Sequence, residues 1–448
     1  MKKRSFSILL LSLMLMTSGC GNSDNPPSQE SIPASQSAQM TEVSTQSPSE
    51  SAEESSSEVI PELTPEEQYW QDVLSSFSDS KYDLSTALTE KALKDYCQDY
   101  FSLGVGINGS TLENQTLNMP EYMAVCEKHF NSCTMTNLMK SCYILNQSGS
   151  VENAKSGDGA PVLSFDSIDP TLEWCKEHNF KMRGHTLVWH AQAPDWFFRE
   201  DYENDGDYVD KETMLFRMES YICQMLTHVQ EKYPGVIYCW DVVNEAVDPD
   251  NGDKNSFFLC RTESDGKPNP WYLTIGEDYV EQAFTFARKY ADPDVKLIYN
   301  DFNTFQLTKE NAIYALCESL KEKGLIDGIG MQGYWGLDYP SVNTLECTIK
   351  HFAKLDLEIQ ITELSVGVDE EDEKSFEKQA KKYGSVFLMF KNLDTAGGGP
   401  ANITNVTLFG LKDHYRDGDT TNSRLFDADY QPKPAFNKIR DIMKNMYK

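Results

Sequence analysis

Residues 237–245 read Ile-Tyr-Cys-Trp-Asp-Val-Val-Asn-Glu, a run of β-branched and aromatic residues that ends in a carboxylate. Residues 357–363, Leu-Glu-Ile-Gln-Ile-Thr-Glu, have the same form. Apolar residues packed densely over a strand-sized length predict two buried β-strands. A carboxylate left inside the core would be costly, so we expect each strand to deliver its glutamate, Glu245 or Glu363, to the floor of a cleft. Two such carboxylates are the minimum equipment for cleaving a glycosidic bond.

Six further strand-like runs occur before, between and after these two. The segments between the runs show the helical spacing of apolar residues, as in 214–233, 278–290 and 309–323. A strand and a helix that alternate eight times predict a (β/α)8 TIM barrel, here as one domain over residues 66–448. The six runs cover residues 101–107, 132–136, 181–188, 295–300, 328–333 and 405–409.

Polar residues gather where these predicted strands end. In an α/β barrel the C-terminal ends of the strands form the active-site face. We therefore expect side chains that are far apart in the sequence to meet there, together with the two glutamates. They are Asn137, His185, Asn244, Asn300 and Gln332.

The charge and the cysteines exclude some classes of function. The chain of 448 residues has a formal net charge of −30 and shows no Lys/Arg cluster beyond residue 4, so a nucleic-acid partner is not expected. Ten cysteines follow Cys20, scattered through apolar runs and without the close Cys or Cys/His spacing of a metal site. We expect most of them to be small buried hydrophobic residues.

The N-terminus predicts export. Residues 1–20 combine a Lys-Lys-Arg start, a short apolar run and small residues before Cys20, and they resemble a bacterial lipoprotein signal peptide. Lipidation of Cys20 would anchor the protein at the bacterial cell surface, and ordinary secretion is the alternative. Residues 21–65 are rich in Ser, Gln, Pro and Glu, and this composition predicts a disordered tether between the anchor and the barrel.

Five sequence blocks together resemble glycoside hydrolase family 10, whose members are mainly endo-β-1,4-xylanases. The resemblance extends from about Phe101 to Phe436, where the closing segment 425–436 is also similar. One block alone would be moderately specific, whereas five in this order at barrel-strand intervals are very specific. The blocks are Gly-His-Thr-Leu-Val-Trp-His at 184–190 followed by Gln192, Trp-Asp-Val-Val-Asn-Glu at 240–245, Tyr-Asn-Asp-Phe-Asn at 299–303, Asp-Gly-Ile-Gly-Met-Gln at 327–332 and Ile-Thr-Glu-Leu at 361–364.

The resemblance implies a role for each candidate residue. Glu245 would be the general acid/base and Glu363 the nucleophile of a retaining mechanism, which needs carboxyl groups about 5–5.5 Å apart and no metal or organic cofactor. Asn244 would bond the sugar 2-hydroxyl, and Tyr299 would be either an aglycone-side aromatic or a core residue. The remaining substrate-binding candidates are Asn137, Lys140, His185, Trp189, Gln192, Gln332, Tyr334, Phe409 and Tyr415.

Several positions depart from the family pattern. Thr136 replaces a glutamate, Ser365 an aspartate, and Tyr334 the histidine that usually bonds the nucleophile. Tyr334 can still donate a hydrogen bond to Glu363 but cannot carry a positive charge. Phe409 and Tyr415 replace two tryptophans and keep a smaller stacking face for sugar. None of these changes removes an essential chemical group, so they bear on subsite preference and pH optimum.

Three functions remain open from the sequence. The leading hypothesis is a retaining endo-1,4-β-xylanase that acts on xylan or xylo-oligosaccharides. A second keeps the mechanism and changes the polymer to another β-1,4-glycan, such as a β-glucan or a cellobioside. The third is a surface glycan-binding protein built on a degenerate barrel, which the presence of both glutamates opposes.

Overall fold

Eight parallel strands close into a barrel in this computed structural model, which describes residues 63–414 and 422–444. Strand β1 pairs with β2 on one side and with β8 on the other, and β7 also pairs with β8, so the ring is complete. The predicted barrel and all eight predicted strands are confirmed. The strands are β1 Ser102–Ile107, β2 Ser132–Met135, β3 Lys181–Trp189, β4 Ile237–Asn244, β5 Lys296–Asp301, β6 Gly328–Met331, β7 Glu358–Val366 and β8 Asn402–Leu408.

Strand β7 runs three residues past its predicted end at Glu363. The extension exists because Ser365 and Val366 pair with a short strand, Tyr334–Trp335, that follows β6. This pairing brings Tyr334, three residues after the end of β6, alongside the second glutamate. The only other strand pair among the described residues is the small hairpin of Glu263–Ser264 and Lys267–Pro268.

Helices follow each barrel strand and cover the outside of the ring. The longest, Lys211–Lys232, begins where the Asp210 carboxylate accepts the Thr213 backbone N–H at 2.8 Å, which satisfies one otherwise unpaired donor of the first turn. Its apolar side chains recur at helical spacing on the buried face. The others are Pro120–His129, Ser141–Ile144, Gln147–Ser156, Asp169–Glu177, Pro270–Ile275, Tyr279–Tyr290, Leu307–Glu322, Val342–Phe352, Glu373–Leu393 and Pro434–Met443, with Pro65–Ser76, Ser85–Thr89 and Leu93–Cys97 ahead of β1.

The first described helix begins next to the predicted start of the domain at residue 66. Thr64 and Glu67 form a capping box at the start of this helix, Pro65–Ser76. The predicted signal peptide and Cys20 lie outside the described residues. Among residues 63–414 and 422–444, no helix combines the length and apolarity needed to cross a membrane.

The ten cysteines of this region are all free, and seven of them are buried. The expectation of small buried hydrophobic residues is therefore confirmed for most, whereas Cys142 and Cys347 are exposed and Cys223 is half-buried.

Candidate active site

Glu245 and Glu363 lie at the same end of the barrel. Glu245 directly follows β4, and Glu363 lies in the last part of β7 with only 6% of its surface exposed. Parallel strands share one C-terminal edge, so residues 118 positions apart come to one rim by topology alone. The expected delivery of both carboxylates to one face is what the fold provides.

The backbone turns sharply at Glu245, where φ is +59°, in the left-handed region. Consecutive strand residues would point to opposite faces. Here Asn244 and Glu245 both contact one side chain, since Gln332 Nε2 lies 3.3 Å from Asn244 Oδ1 and 2.9 Å from Glu245 Oε1. The turn therefore brings two neighbouring residues to the same side of the sheet.

Three side chains donate hydrogen bonds to the Glu245 carboxylate. They are Gln332, the Nε1–H of Trp189 at 3.0 Å from Oε2, and the amide of Asn244 at 3.0 Å from Oε1. Burial raises the pKa of Glu245, but the nearby His190, the bonds from Gln332 and Trp189, and Lys309 outweigh burial, so this pKa lies below its ordinary value.

Glu363 is held by two donors. Tyr334 donates its hydroxyl to Oε2 at 2.5 Å, and Asn300 Nδ2 lies 3.1 Å from Oε1. Burial raises the pKa of Glu363, and the negative charges of Glu245 and Asp241 raise it further, against the opposing effects of His185 and Tyr334. The pKa shifts of the two glutamates therefore have opposite directions, upward for Glu363 and downward for Glu245.

Asn300 joins the two halves of the site. Its Nδ2 also lies 2.9 Å from Asn244 Oδ1, and its Oδ1 accepts the hydroxyl of Thr362 at 2.7 Å. Two amides thus connect the Glu245 carboxylate with the Glu363 carboxylate. Asn300 was predicted at a strand end, but no role was assigned to it from the sequence.

A buried charge cluster supports His185. The His185 Nδ1 lies 2.9 Å from Asp241 Oδ2, and Arg183 donates two bonds to the same carboxylate, at 2.6 and 3.2 Å. Burial alone would raise the pKa of Asp241, but Arg183 and His185 hold that pKa below its ordinary value. Arg183 also bonds Gln360 at 2.7 Å, across the barrel interior from β3 to β7. Asp241 carries this arrangement, and sequence reasoning gave it no role.

Lys140 contacts several of the predicted substrate-binding residues on a second side of Glu245. Its Nζ lies 2.7 Å from Gln192 Oε1, 3.4 Å from Asn137 Oδ1 and 4.6 Å from the centre of the Trp189 ring. Burial lowers the pKa of Lys140, although Glu363 and Glu245 act in the opposite direction. The predicted group of Asn137, Lys140, Trp189 and Gln192 is therefore one contiguous cluster.

Two aromatic candidates have different outcomes. Tyr299 is completely buried, with its hydroxyl 2.5 Å from Asp301 Oδ2 and bonded by the Val247 N–H, so the substrate-contact interpretation is wrong and the core interpretation holds. Phe409 is half-buried, and its ring packs edge-on against Tyr334 with 5.4 Å between centres. Tyr415 lies outside the described residues.

Within the described part of the chain, no group of three or more His, Cys, Asp or Glu side chains could hold a metal ion.

A comparison with known protein families matches residues 92–442 to the model of glycosyl hydrolase family 10. The chain belongs to glycosyl hydrolase family 10. Among relatives of this family-10 chain, the endo-1,4-beta-xylanase of Geobacillus stearothermophilus is 32% identical over 370 residues, which cover 78% of this chain and 98% of the relative. The endo-1,4-beta-xylanase A of Thermotoga neapolitana is 39% identical over 357 residues, which cover 77% of this chain but only 30% of that larger protein.

A solved family-10 structure gives the same result. The Clostridium thermocellum endo-1,4-beta-D-xylanase 10B, solved as CBM22-1 and GH10 modules with xylohexaose, has a TM-score of 0.72 and 33% identity. The match covers 80% of this chain and 68% of that one.

The departures from the family-10 pattern have structural explanations. Thr136 is buried and donates its hydroxyl to Asn108 Oδ1 at 2.8 Å, so this position lacks a carboxylate but keeps a polar contact. Ser365 sits beside the guanidinium of Arg424, with Oγ 3.5 Å from Nη1. Tyr334 holds the nucleophile candidate directly, as predicted from its hydroxyl.

Proposed function

We propose that this protein is a retaining endo-1,4-β-xylanase that hydrolyses internal β-1,4-xylosidic bonds of xylan or xylo-oligosaccharides. The observation that carries the proposal is the pair of carboxyl groups on separate barrel strands, connected through the amides of Asn244 and Asn300. The xylanase names of the family-10 relatives and the xylohexaose in the C. thermocellum structure support xylan as the polymer.

The mechanism is a double displacement. Protonated Glu245 gives its proton to the glycosidic oxygen while the Glu363 carboxylate attacks the anomeric carbon, so the C–O bond breaks and the leaving chain departs as an alcohol. Glu245 then takes a proton from water, whose oxygen attacks the same carbon and releases Glu363. Asn244 is the residue proposed to bond the sugar 2-hydroxyl, a contact that tightens in the transition state.

The two carboxyl groups titrate as a pair, so their pKa shifts are a property of both groups. Burial and the negative charges of Glu245 and Asp241 raise the pKa of Glu363, whereas His190, Gln332 and Trp189 lower that of Glu245 against the effect of burial. The glycosidic oxygen is a hydrogen-bond acceptor and favours the protonated form of Glu245, and the electron-poor anomeric carbon favours the ionised form of Glu363. A bound sugar therefore favours the protonation states that the mechanism needs.

Paired variants test the two roles. Glu363→Ala should abolish hydrolysis of every substrate while the circular dichroism of the fold is unchanged. Glu245→Ala should lose activity on xylan but keep cleaving an aryl xylobioside, because a good leaving group needs no protonation. Turnover of xylan by Glu363→Ala would contradict the assignment, as would an α-anomer formed first in proton NMR of the products.

A separate experiment tests which polymer is the substrate. The wild-type protein should release reducing ends from xylan much faster than from a β-glucan or a cellulosic substrate. Xylan binding without reducing-end release above the Glu363→Ala background would instead indicate a glycan-binding barrel.

We also propose export with lipidation of Cys20, on the sequence of residues 1–20 alone. Labelled palmitate should enter the full chain expressed in a bacterium, and Cys20→Ser should prevent the labelling. Labelling that persists in Cys20→Ser would contradict the anchor.

A further inference from the structure

Arg424 lies next to the strand end that carries Glu363. Its Nη1 is 3.5 Å from Ser365 Oγ, and a Cβ on Gly410 would lie 2.6 Å from its Nε. The guanidinium therefore occupies the space between the ends of β7 and β8, and the residue as a whole is half-buried.

This guanidinium has no carboxylate partner among residues 63–414 and 422–444. The long bond to Ser365 is its one side-chain hydrogen bond there, and Nε is buried without a partner. Other half-buried or buried arginines near the cleft are paired, as in Arg183 with Asp241 at 2.6 Å and Arg261 with Asp248 at 2.7 Å. The Nε atoms of Arg217 and Arg288 are also buried without a partner, but both guanidinium groups make hydrogen bonds of 2.7 Å elsewhere, so Arg424 differs in making one long bond only.

The polar groups around Arg424 are already committed to other partners. Tyr383 donates its hydroxyl to the Ser423 carbonyl at 2.7 Å, and the Tyr122 oxygen accepts the Leu411 N–H at 2.9 Å. Asp413 accepts the Arg424 backbone N–H, but its charge is matched by Lys433 at 2.5 Å. Asp413 lies close enough to interact with the charge of Arg424, but its carboxylate is bonded to Lys433 and not to the guanidinium.

Arg424 borders the wall on which the sugar chain is proposed to lie. Ser365 pairs in register with Tyr334, and Gly410 directly follows Phe409, whose ring packs against Tyr334. Both residues that Arg424 touches are thus adjacent to the two aromatic rings of this wall. We expect a substituent that projects from a sugar on those rings to lie on the side of the wall where Arg424 is found.

The chemistry of the position favours an anion. A guanidinium recognises carboxylates by charge-assisted hydrogen bonds. The chain as a whole carries a charge of −30 and would repel an acidic polysaccharide. A local positive charge at the cleft would offset this repulsion. We propose that Arg424 binds the carboxylate of a uronic acid substituent on the xylan chain, an inference that rests on the proposed xylanase function.

The test compares matched substrates and matched variants. The wild-type protein, Arg424→Leu and the control Arg440→Leu are assayed on a linear xylo-oligosaccharide, on one with a uronic acid branch, and on the same branched compound after its carboxyl group is reduced to an alcohol. Arg440 suits the control because it lies in helix Pro434–Met443 and pairs with Glu90. Circular dichroism checks that each variant is folded.

The expected result is selective. Arg424→Leu should lower kcat/KM about tenfold on the acidic oligosaccharide and leave the linear and reduced compounds within about twofold. Arg440→Leu should match the wild type on all three. Binding of the acidic compound to Glu363→Gln, measured by calorimetry, should weaken by the same factor when Arg424→Leu is added.

Two outcomes would overturn the proposal. An equal loss on all three substrates would make Arg424 a structural residue or a ligand of neutral sugar, and an unchanged preference would make it irrelevant to the branch. If the wild type hydrolyses none of the three compounds, the proposed xylanase function fails instead, and calorimetry on Glu363→Gln still decides whether Arg424 binds the acid.

Discussion

The Tyr334 hydroxyl lies 2.5 Å from Oε2 of Glu363, while 49% of the residue is exposed. One side chain therefore holds the proposed nucleophile, and its ring also packs edge-to-face with Phe409 at the cleft wall. Since a phenol stays neutral where an imidazole can be charged, this contact stabilises the Glu363 carboxylate by hydrogen bonding alone.

Tyr334→Phe should move the acidic limb of the kcat/KM profile to higher pH. The hydroxyl lowers the pKa of Glu363, so its removal raises that pKa, and a nucleophile must be ionised to react. The loss of a hydrogen bond to a charged group should also lower kcat about tenfold or more. Rates measured from pH 4 to 9 check this. The control Tyr339→Phe changes a residue that is 64% exposed and should leave the profile in place.

Trp189→Phe should move the alkaline limb of the kcat/KM profile. The indole N–H lowers the pKa of Glu245, and its removal raises that pKa. A general acid must be protonated, so the alkaline limb of the profile should shift to higher pH while the acidic limb moves little. A shift of the alkaline limb to lower pH would contradict the assignment of Glu245 as the acid. The phenyl ring keeps a face for the ammonium of Lys140.

Asn300→Ala should lower kcat about a hundredfold, because it removes the amide between Asn244 and Glu363 that pre-organises both. Asn300→Asp keeps the shape but places a negative charge beside Glu363, which raises the pKa of Glu363 and moves the acidic limb to higher pH. A hundredfold loss in Asn300→Ala together with an unchanged limb in Asn300→Asp would leave Asn300 with a packing role only. Hydrolysis rates of both variants on a xylo-oligosaccharide, measured across the pH range, distinguish the catalytic role from the packing role.

Asp241→Asn should lower the free energy of unfolding by about 3–5 kcal/mol, because it leaves the buried Arg183 without its counter-charge. The folded-state pKa of Asp241 lies below its ordinary value, so the stabilisation is present above that ordinary value and is lost as the pH falls through the folded-state pKa. The free energies of unfolding of the wild type and of Asp241→Asn, measured by urea titration, should converge at low pH. The exposed pair of Asp278 with Lys211 gives the control, and Asp278→Asn should change stability by less than about 1 kcal/mol.

The strands could be predicted from the sequence because each one is a dense apolar run of strand length, and several of the runs end in a polar residue. The same signal placed Glu245, Asn244 and Gln332 at one rim, and the structure joins them by hydrogen bonds. The predicted end of β7 was too early because its last residues pair with Tyr334–Trp335, a contact between residues 31 positions apart that no local pattern records.

Alternation along β5 explains the error at Tyr299. Successive side chains of a strand point to opposite faces, so Tyr299 and Asp301 share one face and Asn300 occupies the other. The Tyr299–Asp301 bond and the Asn300–Glu363 bond agree with this alternation. The sequence already predicted Asn300 at the strand end that meets the cleft. The alternation of side chains along a strand therefore predicts that Tyr299 faces away from the cleft. The local sequence gave no indication of a role for Asp241, since that role depends on a hydrogen-bonded ion pair with Arg183, which lies on another strand.

The left-handed backbone at Glu245 limits how this enzyme could be re-engineered. A non-glycine residue in that conformation costs about 1–3 kcal/mol, which the neighbouring contacts of the loop must offset. Among those contacts, Arg261 donates Nε–H to the Glu245 carbonyl at 2.8 Å from within the long segment after β4. A loop transplanted from another barrel would therefore need its own equivalent of Arg261, or the chain would leave β4 extended and turn the carboxylate toward the helices.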